Sequence, residues 1–121
     1  MYSVIVKTSF KATHNLHFTD GSKEPAHEHQ WLITTEISSE KLNKIGLVID
    51  FNEVKGYLKE ITAELEGKNL DEIPYFSKKN PSAENVAQYI YEKLEYKLES
   101  EVKLEYIMVV EEIGCIGKYS K

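Results

Sequence analysis

Apolar and polar residues alternate along the first dozen positions of the chain. Tyr2, Val4, Val6, Thr8, Phe10 and Ala12 fall on one side, which predicts a β-strand from Tyr2 to about Thr13. His29–Ser38 is rich in β-branched and aromatic residues and predicts a second strand. The turn-forming cluster Thr19-Asp20-Gly21-Ser22-Lys23 lies between the two. They therefore read as a long hairpin whose loop end carries His14 close to His27 and His29. Gly46-Leu47-Val48-Ile49-Asp50 reads as a short extended piece. The period then changes. Phe51, Val54, Leu58, Ile61 and Leu65 recur at helical spacing, with Asp50 as N-cap and Gly67 as the stop. A second helix is predicted from Ser82, with Glu84 in its first turn and Val86, Tyr89, Ile90, Lys93, Leu94 and Leu98 as its stripe. Lys103–Glu111 returns to a strand pattern, with Leu104, Tyr106, Met108 and Val110 on one face. Ile116–Ser120 adds a short last strand after Gly114.

The predicted order is β-β-α-α-β-β, an α+β arrangement in which one antiparallel sheet is covered by two helices on one face. The other face is expected to carry alternating polar residues. The outer edges of such a sheet need cover, and self-association is one way to provide it. The longest loop-like stretch is Asp71–Ser82, with Pro74, Asn80 and Pro81. No repeat or interdomain linker is visible, so residues 1–121 are expected to form a single domain.

Composition narrows the function classes. A length of 121 residues, with 41% hydrophobic and 29% charged residues, is that of a globular chain with a modest core. Net charge is −5, from 15 basic and 20 acidic residues, which argues against nucleic-acid binding through a general positive field. Apolar runs such as Tyr106–Val110 fall far short of the ~20 residues of a membrane span. No basic start followed by an apolar stretch marks a secretory signal, so the expected location is cytoplasmic. Cys115 is the only cysteine, which excludes an intrachain disulfide and suggests a packing residue.

The candidate chemistry lies in the histidines. His27-Glu28-His29 is an H-x-H pair, and alternation in a strand points both imidazoles to one face. His14 from the neighbouring strand supplies a third, the donor set of a zinc site with one open position. Taken alone, the pair also fits two exposed histidines. His17 reads as a surface residue or a neighbour of the site. Glu24 is either a solvated loop carboxylate or a base beside the metal. Lys78-Lys79 is a pair suited to steering phosphate, or simply a solvated loop.

Taken in order, Phe10-x-Ala12-x-His14, His27-x-His29, Gly46–Phe51, Asn80–Asn85 and the late Glu111 resemble the 6-pyruvoyl-tetrahydropterin synthase / 6-carboxytetrahydropterin synthase family over nearly the whole chain. The resemblance implies the T-fold, a four-stranded antiparallel sheet with two helices on one face. It also implies assembly into a homo-oligomeric barrel, trimer or hexamer, with sites at subunit interfaces. It further implies Zn2+ on His14, His27 and His29, a dihydropterin substrate of the 7,8-dihydroneopterin triphosphate kind, and Glu111 as the anchor of the pterin ring. The departures are specific. Lys23 stands where most members carry a cysteine, and Glu28 replaces a glycine between the two histidines. Leu65-Glu66-Gly67 replaces a Leu-Asp-His stretch, leaving Glu66 as a catalytic candidate without its histidine. Glu24, in E-x-x-H-x-H, resembles a subgroup with glutamate in place of the cysteine. The function implied is a zinc-dependent lyase acting on the pterin side chain. The alternative is a pterin- or purine-like-ligand binding protein on the same scaffold.

Overall fold

The computed structural model describes residues 1–121. Strand β1 spans Tyr2–His14 and β2 spans His27–Ser39. Helix α1 spans Phe51–Ala63 and α2 spans Ala83–Lys97, with two short 3-10 turns, Leu70–Glu72 and Pro74–Phe76, between them. Strand β3 spans Lys103–Glu112 and β4 spans Cys115–Tyr119. The sheet is antiparallel throughout, in the order β1-β2-β3-β4. No helix is long and apolar enough to cross a membrane.

Phase along each strand decides which side chains meet the helices. Val6, Phe10, Ala12 and His14 of β1 are buried, as are Trp31, Ile33, Thr35 and Ile37 of β2. The register pairs Phe10 with Trp31, Ala12 with His29 and His14 with His27. The hydrophobic alternation of the hairpin therefore runs unbroken into its histidines, all on the helix-covered side. Phe10 and Trp31 stack 5.8 Å apart, and Trp31 Nε1 donates to Ala12 O at 3.1 Å. Apolar residues of α1 (Val54, Leu58, Ile61) and α2 (Val86, Ile90, Leu94) close the core.

The helix caps follow the sequence. Asp50 accepts from the amide of Asn52, and Ser82 from that of Asn85. Helix α1 ends at Ala63 rather than Leu65, which packs in the core from the turn that follows. Phe51 is half exposed and Lys93 lies at the surface, whereas Ala87 and Tyr91 are buried. The buried side of α2 is wider than its stripe because the helix packs against both β3 and β4.

Three expectations are corrected. Gly46–Asp50 forms no strand: Gly46 has φ +83°, and Asn43 Oδ1 accepts from Ile45 N and Leu47 N, closing a side-chain turn. The buried face of β3 is Leu104, Ile107 and Val109, not Tyr106, Met108 and Val110. Ile37 pairs with Leu104 but Glu36 with Tyr106, so Glu105 is an extra residue in a β-bulge that inverts the alternation. The uncovered face is mixed rather than polar, with Ile5, Leu32 and Ile116 exposed among its polar residues.

Candidate metal centre

The open end of the hairpin gathers three imidazoles and one carboxylate. Nitrogens of His14, His27 and His29 and an oxygen of Glu111 all lie within 4.8 Å of one another. His14 and His27 are cross-strand partners, and His29 is two residues on, on the same face. Beyond the bulge at Glu105 the alternation runs Ile107, Val109, Glu111, which puts Glu111, and not Glu112, on the histidine face. Val110 pairs with Ile116 and Glu112 with Cys115, so Glu111 has no partner on β4. Glu28 falls on the opposite face, away from the cluster.

The hydrogen bonds around the rings fix their chemistry. His14 Nδ1 lies 2.7 Å from Pro81 O, and His27 Nδ1 lies 3.0 Å from Pro25 O. A carbonyl oxygen only accepts, so both Nδ1 atoms carry a proton, and in the neutral rings that a metal requires both Nε2 atoms present lone pairs. Those two Nε2 atoms are 3.0 Å apart. His29 Nε2 is buried and has no hydrogen-bond partner. Two neutral rings meeting lone pair to lone pair, beside a third buried nitrogen with nothing to bind, form a conflict that one shared cation removes. The spacing agrees: corners of a tetrahedral zinc site with ~2.05 Å bonds lie about 3.3 Å apart. Between His14 and His27 the separation is 3.0 Å, and Glu111 flanks the rings at 3.4 Å from His14 Nε2 and 3.7 Å from His29 Nε2. Burial, reinforced by His27, holds His29 below the usual histidine range against the opposing pull of Glu111. That keeps it in the neutral form a metal requires.

Trp31 forms the floor, perpendicular to His14 at 4.8 Å and to His29 at 5.8 Å between ring centres. Its supporting role, and that of the Pro81 carbonyl, were not read from the sequence. The only signal for the second was that Asn80–Asn85 belongs to the resembling motifs.

Glu24 stands beside the cluster. Its Oε1 is 3.8 Å from His27 Nε2 and accepts the Leu16 amide at 3.0 Å, while the Glu24 amide donates to Leu16 O. Glu66 is not among the clustered groups. Its Oε2 accepts the Lys11 amide at 2.8 Å on the outer edge of β1. Cys115 is exposed, and desolvation together with Glu112 pushes its thiol up, the reverse of what a nucleophile needs.

A four-stranded antiparallel sheet with both helices on one face, ending in a histidine–carboxylate cluster, defines the T-fold class. Solved 6-pyruvoyl tetrahydropterin synthases share this fold. The structure from Caenorhabditis elegans superposes with TM-score 0.87 at 23% identity, covering 99% of this chain and 95% of that one. The structure from Plasmodium falciparum gives 0.81 at 20% identity, covering 99% and 97%. The chain belongs to the 6-pyruvoyl tetrahydropterin synthase family, whose family model matches residues 3–121. Among named relatives, the dihydroneopterin monophosphate aldolase of Pyrococcus furiosus is 30% identical over 84% of this chain and 82% of its own length. The 6-pyruvoyl tetrahydrobiopterin synthase of Pongo abelii is 30% identical over 74% of this chain and 71% of its own length.

Proposed function

We propose that this chain is a zinc-dependent lyase acting on the side chain of 7,8-dihydroneopterin triphosphate or a closely related dihydropterin. The observation that carries the reading is the pair of opposed Nε2 lone pairs of His14 and His27 beside the unpartnered, buried Nε2 of His29. These three atoms would hold Zn2+. When bound, the ion supplies Lewis acidity, lowering the cost of removing a proton from a hydroxyl of the side chain.

The rest is done by the chain. Glu24 is the proton carrier. The Leu16 amide fixes its Oε1, so the carboxylate is held beside His27 with Oε2 available to the substrate. A Plasmodium vivax synthase of the same fold (TM-score 0.80, 16% identity) has been solved as a glutamate-to-alanine catalytic-residue mutant, so a glutamate is a catalytic residue in that protein. Glu111, partly exposed at the open side of the cluster, accepts N–H donors from the amino-pyrimidine edge of the ring. Glu66 holds the edge of β1 and takes no part in proton transfer.

The test is turnover by purified, zinc-loaded protein, with products separated by chromatography. The native protein is expected to convert the dihydropterin. Glu24→Gln is expected to keep its zinc and lose roughly 10²–10⁴-fold in rate. Full rate in Glu24→Gln removes Glu24 from the mechanism. A binding protein on the same scaffold is the second reading, favoured by Gly67 standing where the family's histidine is expected and by the commitment of Glu66 to Lys11. Tight pterin binding with no turnover selects it.

A further inference from the structure

The His14 ring is fully buried, and its Nδ1 proton goes to Pro81 O at 2.7 Å. A second place for that proton lies across the ring. His14 Nε2 is 3.0 Å from His27 Nε2 and 3.4 Å from Glu111 Oε1, and both of those atoms accept. A proton moved from Nδ1 to Nε2 would gain one of these bonds and cover the lone pair that a metal takes. The metal-free cluster therefore has a competing arrangement in which His14 is blocked as a ligand. The acceptor at Pro81 opposes it, and an acceptor works only while it stays in line and in reach.

Pro81 is buried, but it has no N–H with which to anchor itself. Its neighbours hold it. The side chain of Asn80 grips His17 twice, accepting its N–H at 2.7 Å and donating to its carbonyl at 2.8 Å. Two facing strand residues exchange bonds in the same way, and here a side chain does so with the backbone just beyond β1. The opposite characters of the two His17 groups allow the amide one orientation only. From the other side, Asn85 Nδ2 donates to Asn80 O at 2.8 Å, and Ser82 Oγ accepts the Asn85 amide at 3.1 Å. The Pro81 carbonyl is thus braced between the end of β1, which carries His14, and the first turn of α2. Asn80 itself is not among the clustered groups. We propose that Asn80 is a positioning residue of the metal centre: it holds Pro81 O against His14 Nδ1 and so keeps His14 Nε2 free for the ion. The purpose of this brace rests on the zinc reading above, whereas its effect on the His14 proton is a property of the chain alone.

The experiment pairs spectroscopy with metal binding. Nitrogen-15 spectra of the imidazoles in metal-free protein, in mildly alkaline solution where the rings are neutral, show which nitrogen carries each proton. Native protein is expected to carry the His14 proton on Nδ1. In Asn80→Ala, which removes both bonds to His17, that proton is expected to move wholly or partly to Nε2. Zinc affinity, measured by competition with a chromogenic chelator, is expected to fall about 10–100-fold. Asn85→Ala loosens the same brace from the helix side, is expected to act in the same direction, and decides the matter if Asn80→Ala does not fold. Tyr91→Phe removes a buried hydrogen bond to Leu104 O, at the end of β3 far from Glu111, and controls for lost stability alone. It is expected to change neither the tautomer nor the affinity. A His14 proton on Nε2 in native protein, or one that stays on Nδ1 in the folded variants, overturns the proposal. So does a zinc affinity that is unchanged, or that falls as far in Tyr91→Phe. If native protein binds no zinc, the lyase reading fails, and the tautomer alone decides whether Asn80 positions His14.

Discussion

His14 and His29 belong to one cluster but stand in opposite energetic positions. His14 is fully buried and its Nδ1 satisfies Pro81 O, so it works for the fold with or without metal. His14→Ala leaves a cavity and a bare carbonyl, and unfolding of the metal-free protein is expected to show a loss of about 2–4 kcal/mol. His29 carries a buried nitrogen with no partner, which costs the metal-free fold. His29→Leu is therefore expected to raise the stability of metal-free protein by about 1 kcal/mol while abolishing zinc binding. Denaturation with and without zinc checks both; a stability loss in metal-free His29→Leu as large as that of His14→Ala contradicts the assignment. Glu111 divides from Glu24 in the same manner. Glu111→Gln is expected to weaken pterin binding, seen as a raised KM, because an amide cannot accept two N–H donors as a carboxylate does. Glu24→Gln acts on kcat.

Among the elements, the outer edge of β1 gives Glu66 a structural task. Residues 66–69 lie along that edge. Glu66 takes the Lys11 amide, Gly67 N donates to Lys11 O at 2.7 Å, and Thr13 N donates to Lys68 O at 2.9 Å. The strap covers edge groups next to His14 that would otherwise invite another strand. Glu66→Gln is expected to lower stability by about 0.5–1 kcal/mol and leave turnover intact. A large fall in kcat at unchanged stability would return Glu66 to the mechanism. This contact was not legible in the sequence, because it depends on where the chain travels after α1 rather than on any local pattern. What was legible was periodic: the hairpin alternation that carries His14, His27 and His29 to one face, the caps Asp50 and Ser82, and most of the two helix stripes. Strand β3 was misread for a related reason. Alternation counted from Leu104 puts Tyr106, Met108 and Val110 inward, and would have chosen Glu112 over Glu111. One extra residue at Glu105 inverts that count, and a bulge formed by cross-strand pairing leaves no mark in a strand's own sequence. Glu111 came from the family resemblance, not from the pattern.

At the scale of the whole molecule, the helices cover only one face of the sheet. Ile5, Leu32 and Ile116 on the other face are 51%, 48% and 58% exposed, so that face carries apolar as well as polar side chains. The amino-terminal half of β1 and the outer side of β4 are sheet edges. Both features fit a ring of copies closing their sheets edge to edge, as the family resemblance implies. The native protein is expected to sediment as a homo-oligomer. A native protein that sediments as a monomer would contradict the ring.

The proposed chemistry depends on a metal ion shared by three rings. Crystals of zinc-loaded protein measured on both sides of the zinc absorption edge test this directly. One anomalous peak per chain is expected, bonded to Nε2 of His14, His27 and His29. Rings without a peak between them, or a peak elsewhere on the chain, would contradict it.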